Sequence, residues 1–242
     1  MNREEFQKNS TLIVVKVGSS LLLEKGALKL DKIKELAYNV ACLREQGKKI
    51  ILVSSGAVAV GMSVMGFTKK RGDIPFKQAM SAIGQSVLMQ AYREVFSPLG
   101  IQVAQILLAP EDTHNRVKYL NARNTFEALL QLGVLPVVNE NDSVAVEEIK
   151  FGDNDRLSAL VASLIDADLL VILSDVEGLF TADPRLSPQA SLVEEVKKIN
   201  GEIEEMAGGK GNYFSAGGMK SKIIAARMAT LSGIGVIIAS GK

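Results

Sequence analysis

The sequence predicts an α/β fold whose central sheet is mainly parallel and sandwiched by helices. Three observations predict it. Short β-branched apolar runs recur along the chain, segments with apolar residues at helical spacing separate them, and polar or glycine-containing turns follow them at their carboxyl ends. With 242 residues, 47% of them apolar, the chain is long enough to bury a large core as one domain.

Thr11 to Val17 is the first run, and it breaks at Gly18-Ser19-Ser20, the turn that ends strand one. Lys16 interrupts this otherwise apolar strand, which sets it apart from a surface lysine. Asp31 reads as the N-cap of a helix with Ile33, Leu36, Ala37, Val40 and Ala41 on one face, ending near Gly47. Lys49 to Val53 is strand two. Ser54-Ser55-Gly56 follows, and the small residues up to Gly61 start a helix whose positive end suits a phosphate or carboxylate. The alternative there is a glycine turn for close packing. Lys69, Lys70, Arg71 and Asp73 form a solvated connection, and Pro75 opens a long helix to about Phe96 with Met80, Ile83, Val87 and Leu88 as its apolar stripe.

Strand three is Gln102 to Leu108, a helix covers about Lys118 to Leu132, and strand four is Leu135 to Val138. The seventeen positions from Asn139 to Asp155 then hold six carboxylates and three asparagines. Such a concentration at a strand end either orders a cation or ammonium or is a solvated loop. Within it, Val144 to Val146 and Glu148 to Phe151 form a small hairpin that brings NEND and GDND to one mouth. Asp153 or Asn154 caps a helix through Ile165. Strand five, Leu169 to Leu173, ends in Ser174-Asp175, and Gly178 to Pro188 carries turn signals. A short acidic helix, about Glu202 to Met206, leads into GGKGNYFSAGGMKSK. Ile224, Met228 and Leu231 form the buried stripe of the next helix, and Gly235 to Ala239 is strand six.

Composition narrows the function. With 28 basic and 27 acidic residues the net charge is +1, so no overall field draws in nucleic acid or an anionic membrane. The first ten residues lack the apolar core of a signal peptide, and no run approaches the about eighteen apolar residues of a membrane helix. A soluble, cytoplasmic protein is expected. The single cysteine, Cys42, falls on an apolar helical face and forms no internal disulfide. A histidine-activated nucleophile would have to run through the single histidine, His114, whose polar turn suits a surface role; the same counts exclude Cys/His zinc sites. Neither GxxxxGK[ST] nor GxGxxG occurs, so the P-loop and the dinucleotide fingerprint are absent.

A different anion cradle is present. Lys16 stands just before Gly18-Ser19-Ser20, and Lys220 and Lys222 stand beside Gly217-Gly218. Phosphoryl transfer to a carboxylate brings two anions together, and bound cations must offset their repulsion. At about 4 Å and an effective dielectric near 20, each unit charge pair is worth roughly 4 kcal/mol before desolvation. An aspartate such as Asp155 can hold two such ammonium groups in position.

The strings VVKVGSS, VSSGAVAVG, LPVVNENDSV, FGDNDRLSA, LSDVEGLFTADPR and AGGMKSK, in this order and over nearly the whole chain, resemble the amino-acid kinase family and within it the glutamate 5-kinase branch. The resemblance implies an amino-acid kinase-like fold and transfer of the γ-phosphoryl group of ATP to the side-chain carboxylate of L-glutamate, the first step towards proline. Mg²⁺ would arrive with the nucleotide, and no protein-held metal is expected. By position, Lys16 and Lys222 match the lysines that stabilise the transferring group, with Asp155 orienting them. Ser55, Asn139, Asp142, Asp153 and Asn154 match glutamate-binding residues. Gly18 and Ser19 would lie against the phosphates. Ser174 and Asp175, with the run Ala216, Gly217, Gly218, Met219, Lys220, Ser221 and Lys222, match nucleotide contacts.

The resemblance further implies a homo-oligomer built on long helices, and a product passed on to glutamyl phosphate reductase. An acceptor-binding lobe is expected over about residues 1–165 and a nucleotide-binding lobe over about 166–242. Many relatives have threonine where this chain has Ser174, and many carry a further RNA-binding domain of the PUA type, whereas this sequence reads as a single domain ending at Lys242. The acids argue for free glutamate independently: Asp142 and Asp153 can pair an α-ammonium, whereas an N-acetylated substrate would leave buried carboxylates unpaired at a cost of several kcal/mol. Other acceptors (N-acetylglutamate, aspartate, carbamate, UMP) and a catalytically silent ligand sensor are the alternatives.

Overall fold

The structure, a computed structural model, describes residues 6, 8–24, 26–69, 73–109, 112, 115–144, 154–208 and 218–241. In chain order the strands are β1 (Leu12–Val17), β2 (Leu23–Glu24), β3 (Ala27–Leu28), β4 (Lys49–Ser54), β5 (Val103–Leu108), β6 (Leu135–Glu140), β7 (Leu169–Ser174) and β8 (Gly235–Ser240). The helices are α1 (Ser19–Leu22), α2 (Leu30–Glu45), α3 (Ala57–Val64), α4 (Ile74–Phe96), α5 (Arg116–Gln131), α6 (Asn154–Leu164), α7 (Gly201–Gly208) and α8 (Met219–Leu231). All six expected strands are present and form one sheet in the order β5-β6-β4-β1-β7-β8. Every pairing in it is parallel, so all six carboxyl ends share one edge.

Alternation along the strands sorts the core into two layers. Ile13, Val15 and Val17 of β1 join Leu52 and Val137 beneath α2 and α4, which contribute Ile33, Ala37, Val40, Leu88, Tyr92 and Phe96. Val14, Ile51, Val138 and Leu170 face the opposite side, against Phe126 of α5, Leu157, Val161 and Leu164 of α6, and Ala225 and Ala229 of α8. Each large apolar side chain buried this way contributes about 1.5–3 kcal/mol. Lys16 has the parity of Val14, so it lies on the side of the sheet covered by α6 and α8.

Two glycines set how closely α3 and α4 pack. A Cβ on Gly84 would lie 1.8 Å from the Ala57 carbonyl oxygen, and one on Gly61 would lie 1.9 Å from that of Met80. The backbones touch because neither residue has a side chain.

Several expectations need correction. The helix after strand one starts at Leu30, with Lys29 at its N-cap; Asp31 is an exposed first-turn residue ion-paired with Lys34, not the cap. β6 continues through Asn139 and Glu140 because β5 pairs with it up to Leu108↔Glu140. On α8 the buried face is Lys222, Ile223, Ala225, Ala226 and Ala229, while Leu231 is 82% exposed. Alanines permit the close approach of α8 to α6 that a leucine ridge would prevent. Cys42 is half-buried. The short helix α1 and the β2-β3 hairpin were not expected. The expected hairpin beyond its first residue, Val144, which is an exposed turn residue, the cap at Asp153 and His114 lie outside the described residues.

Candidate active site

Three charged residues meet at the carboxyl edge although they come from three elements. Lys16 is the penultimate residue of β1, Asp155 lies in the first turn of α6, and Lys222 lies in the first turn of α8. Lys16 Nζ is 2.6 Å from Asp155 Oδ1, and Lys222 Nζ is 3.2 Å from Oδ2. Ser221 Oγ donates to Oδ2 at 2.7 Å and lies 3.0 Å from the Gly218 carbonyl oxygen. All three charges are buried, Asp155 completely. Burial pushes the Asp155 carboxyl up, but Lys16, then Lys222, and the hydrogen bonds from Lys16 and Ser221 hold it below the ordinary carboxylate range. Two lysines on one carboxylate leave a net positive charge out of water, suited to an anion.

A second constellation stands on the β4 and β6 side of the same edge. Gly56, at φ 106°, turns β4 into α3 and leaves Ser55 at the mouth. Asn154 Nδ2 shares its two hydrogens among the Ser54 carbonyl oxygen at 2.6 Å, Asn139 Oδ1 at 2.8 Å and Ser55 Oγ at 3.0 Å. Asn139 Nδ2 donates to Gln85 Oε1 at 2.8 Å, and Ser81 Oγ donates to Asp142 Oδ2 at 3.0 Å. Below them Ser54 Oγ and Tyr92 Oη are 2.8 Å apart; burial pushes the Tyr92 hydroxyl up to about 12.

Gly18, Ser174 and Asp175 lie at the ends of β1 and β7. A Cβ on Gly18 would be 3.4 Å from the Leu173 carbonyl oxygen and 3.9 Å from Lys16 Nζ, so only hydrogen lies between the turn and the ammonium. Ser19 and Asp175 are exposed, Ser174 is buried, and the Ser174 hydroxyl donates to Asp175 Oδ1 at 3.2 Å. Gly218 is the N-cap of α8, whose positive end faces the same edge. Met219 packs against the small cluster of Leu179, Ala207 and Ile223, and Lys220 is exposed.

The structure therefore brings together Lys16, Asp155, Ser221 and Lys222 as one unit, and Ser55, Asn139 and Asn154 as another. Gly18 adjoins the first, Ser174 ends the strand beside it, and Asp142 adjoins the second. Asp153, Ala216 and Gly217 lie outside the described residues. Sequence reasoning missed Ser81, Gln85 and Tyr92. Their signal was polarity recurring at helical spacing within the face of α4 that also carries Met80 and Leu88. Among the described residues no group of three or more His, Cys, Asp or Glu side chains could hold a metal ion.

Residues 11–240 match the model of the amino acid kinase family. The chain is 51% identical over 243 aligned residues to a glutamate 5-kinase of Pelobacter propionicus, covering 100% of this chain and 65% of that protein. It is 53% identical over 233 residues to a glutamate 5-kinase of Dehalococcoides mccartyi, covering 95% of this chain and 62% of that one. It thus spans less than two thirds of the length of these relatives. A solved structure of carbamate kinase from Giardia lamblia bound to AMP-PNP shares the fold, with a TM-score of 0.66 at 17% identity over 96% of this chain and 93% of that chain. On the match over nearly its whole length, this chain belongs to the amino acid kinase family.

Proposed function

We propose that the chain is an ATP-dependent kinase that phosphorylates the side-chain carboxylate of L-glutamate, giving L-glutamyl 5-phosphate on the route to proline. The observation that carries this is the buried Lys16–Asp155–Lys222 unit on the same sheet edge as a cluster of amides, hydroxyls and Asp142. The names of relatives about half identical to the chain support it.

An oxygen of the glutamate side-chain carboxylate attacks the γ-phosphorus; a new P–O bond forms, the bond to ADP breaks, and ADP carries away the electron pair. The acceptor is already ionised near pH 7, so no general base is required. Asp155 accordingly acts as a holder: each of its oxygens is ion-paired with an ammonium group, and it aims Lys16 and Lys222 at the charge spreading over the transferring oxygens. Gly18, Ser19, Ser174, Asp175 and the start of α8 hold the nucleotide, and Ser55, Asn139, Asp142, Asp153 and Asn154 hold glutamate. Mg²⁺ would be borne by the nucleotide, where it would screen the phosphate charges. On this reading residues 1–165 are the acceptor lobe and 166–242 the nucleotide lobe. The chain works in the cytoplasm as a homo-oligomer and hands its labile product to a reductase.

The test is ADP formation with ATP, Mg²⁺ and L-glutamate, trapping the acyl phosphate with hydroxylamine, with N-acetylglutamate, aspartate, carbamate and UMP in parallel. Hydroxamate formed with glutamate alone supports the proposal. Turnover with another acceptor overturns the reading of the acidic mouth, and turnover with none puts a silent ligand-binding domain in its place.

A further inference from the structure

We infer that the side-chain amide of Gln85 donates a hydrogen bond to the acceptor's second carboxylate, at the end of the site away from the lysines; this rests on the reading of the site as an amino-acid pocket. Amide orientations propagate along a chain that starts from backbone groups. The Ser54 carbonyl can only accept, so the Asn154 atom 2.6 Å from it is the nitrogen. That nitrogen meets Asn139 Oδ1, which also accepts from the Glu140 backbone N–H at 2.8 Å. Asn139 must then present Nδ2 to Gln85, whose Oε1 accepts it. Gln85 Nε2 is left as a buried donor with no partner among the described residues, on a side chain whose residue is 7% exposed. A buried donor without a partner burdens the free protein, and a ligand oxygen relieves it.

The placement suits a second carboxylate. Gln85 follows Ser81 by one helical turn on α4, and Ser81 holds Asp142 while Gln85 holds Asn139. A neutral donor therefore stands near a negative charge, a pairing that matches the carboxylate and ammonium of an α-amino acid. β6 lies two strands from β1, roughly 10 Å. A dicarboxylic amino acid lying along the carboxyl edge, its reacting end at Lys16, places its other carboxylate on the β6 side, where Gln85 holds Asn139.

Gln85→Glu and Gln85→Met separate contact from support. Glutamate in place of glutamine keeps an oxygen for Asn139 but loses the donor and adds a repelling charge; methionine keeps the volume and loses both. At pH 8 the KM for L-glutamate is expected to rise about 10- to 100-fold in both variants, with the KM for ATP within about twofold of wild type; unliganded melting falls in both, because Gln85→Met strands the Asn139 amide and Gln85→Glu buries a charge, and circular dichroism at the assay temperature checks that each is folded. A Gln85→Glu protein with a glutamate KM within about threefold of wild type overturns the inference and makes Gln85 a support for Asn139 alone. Should wild type turn over no acceptor, the functional reading fails separately, and the inference is decided by melting with L-glutamate: a shift in wild type that Gln85→Glu lacks supports it, and equal shifts or none overturn it.

Discussion

Lys16 Nζ and Asp155 Oδ1 lie 2.6 Å apart across 139 positions of sequence, inside the protein, with the residues 5% and 0% exposed. Such a pair is poor evidence of stabilisation, because desolvating two charges offsets much of their attraction. Its value lies in position. The strand aims the ammonium along the carboxyl edge, and the aspartate keeps it there.

Lys16→Met and Lys222→Met should each lower turnover by about 10²- to 10⁴-fold, since each removes a cation from the transferring charge. Asp155 keeps one lysine in either variant, so both proteins should fold. Hydroxamate assays with circular dichroism check this; two variants of near-normal rate would refute the assigned roles.

Asp155→Ala should be worse for stability than either lysine change. It strands two buried ammonium groups, at a cost of about 3–5 kcal/mol. At roughly 2–4 °C per kcal/mol for a chain of this size, melting should fall by about 6–20 °C.

Acid should weaken the same contacts. The Asp155 carboxyl is held below its ordinary value, as is that of Asp168, where burial pushes upward but hydrogen bonds from the Leu12 and Thr11 backbone and the Thr11 hydroxyl prevail. A depressed carboxylate adds stability that is fully present above its unfolded value, near about 3.9, and lost as pH falls through the folded one. Denaturant midpoints between pH 7 and pH 2 should therefore drop on the acid side, and less steeply in Asp168→Asn than in wild type.

Gly84→Ala should destabilise by about 3 kcal/mol or more, because its Cβ would enter the Ala57 carbonyl and force α3 away from α4. Gly201→Ala is the control: nothing lies within 4 Å of its Cβ, and its effect should stay within about 1 kcal/mol. Equal melting points for the two variants would contradict the close packing.

Asn154→Asp should raise the KM for the acceptor by about 10-fold or more while sparing that for ATP. A carboxylate oxygen would face the Ser54 carbonyl, where only a donor fits, and the orientations of Asn139 and Gln85 depend on that contact. Parallel titrations of the two substrates decide it.

The sequence by itself determined the six strands of the main sheet, though not the β2-β3 hairpin, because β-branched runs ending in turns read the same in any tertiary setting. It also marked the edge: Gly18, Ser55, Asn139 and Ser174 follow apolar runs, and parallel strands send all such ends to one side. Lys16 was legible because a charge in a buried strand needs a partner. The partner's geometry was not. That Asp155 receives Lys16 on one oxygen and Lys222 on the other depends on α6 and α8 covering the same face of β1, which no local pattern encodes. The alanine face of α8 was misread for the same reason: which side of a helix is buried depends on how near its neighbour comes. Gln85 and Asn139 are 54 positions apart, and only the order of strands, with α4 laid over β6, decided that two side-chain amides would meet. Side-chain hydrogen bonds act over about 3 Å, whereas sequence patterns report periodicity and burial, so contacts between elements belong to the tertiary structure alone.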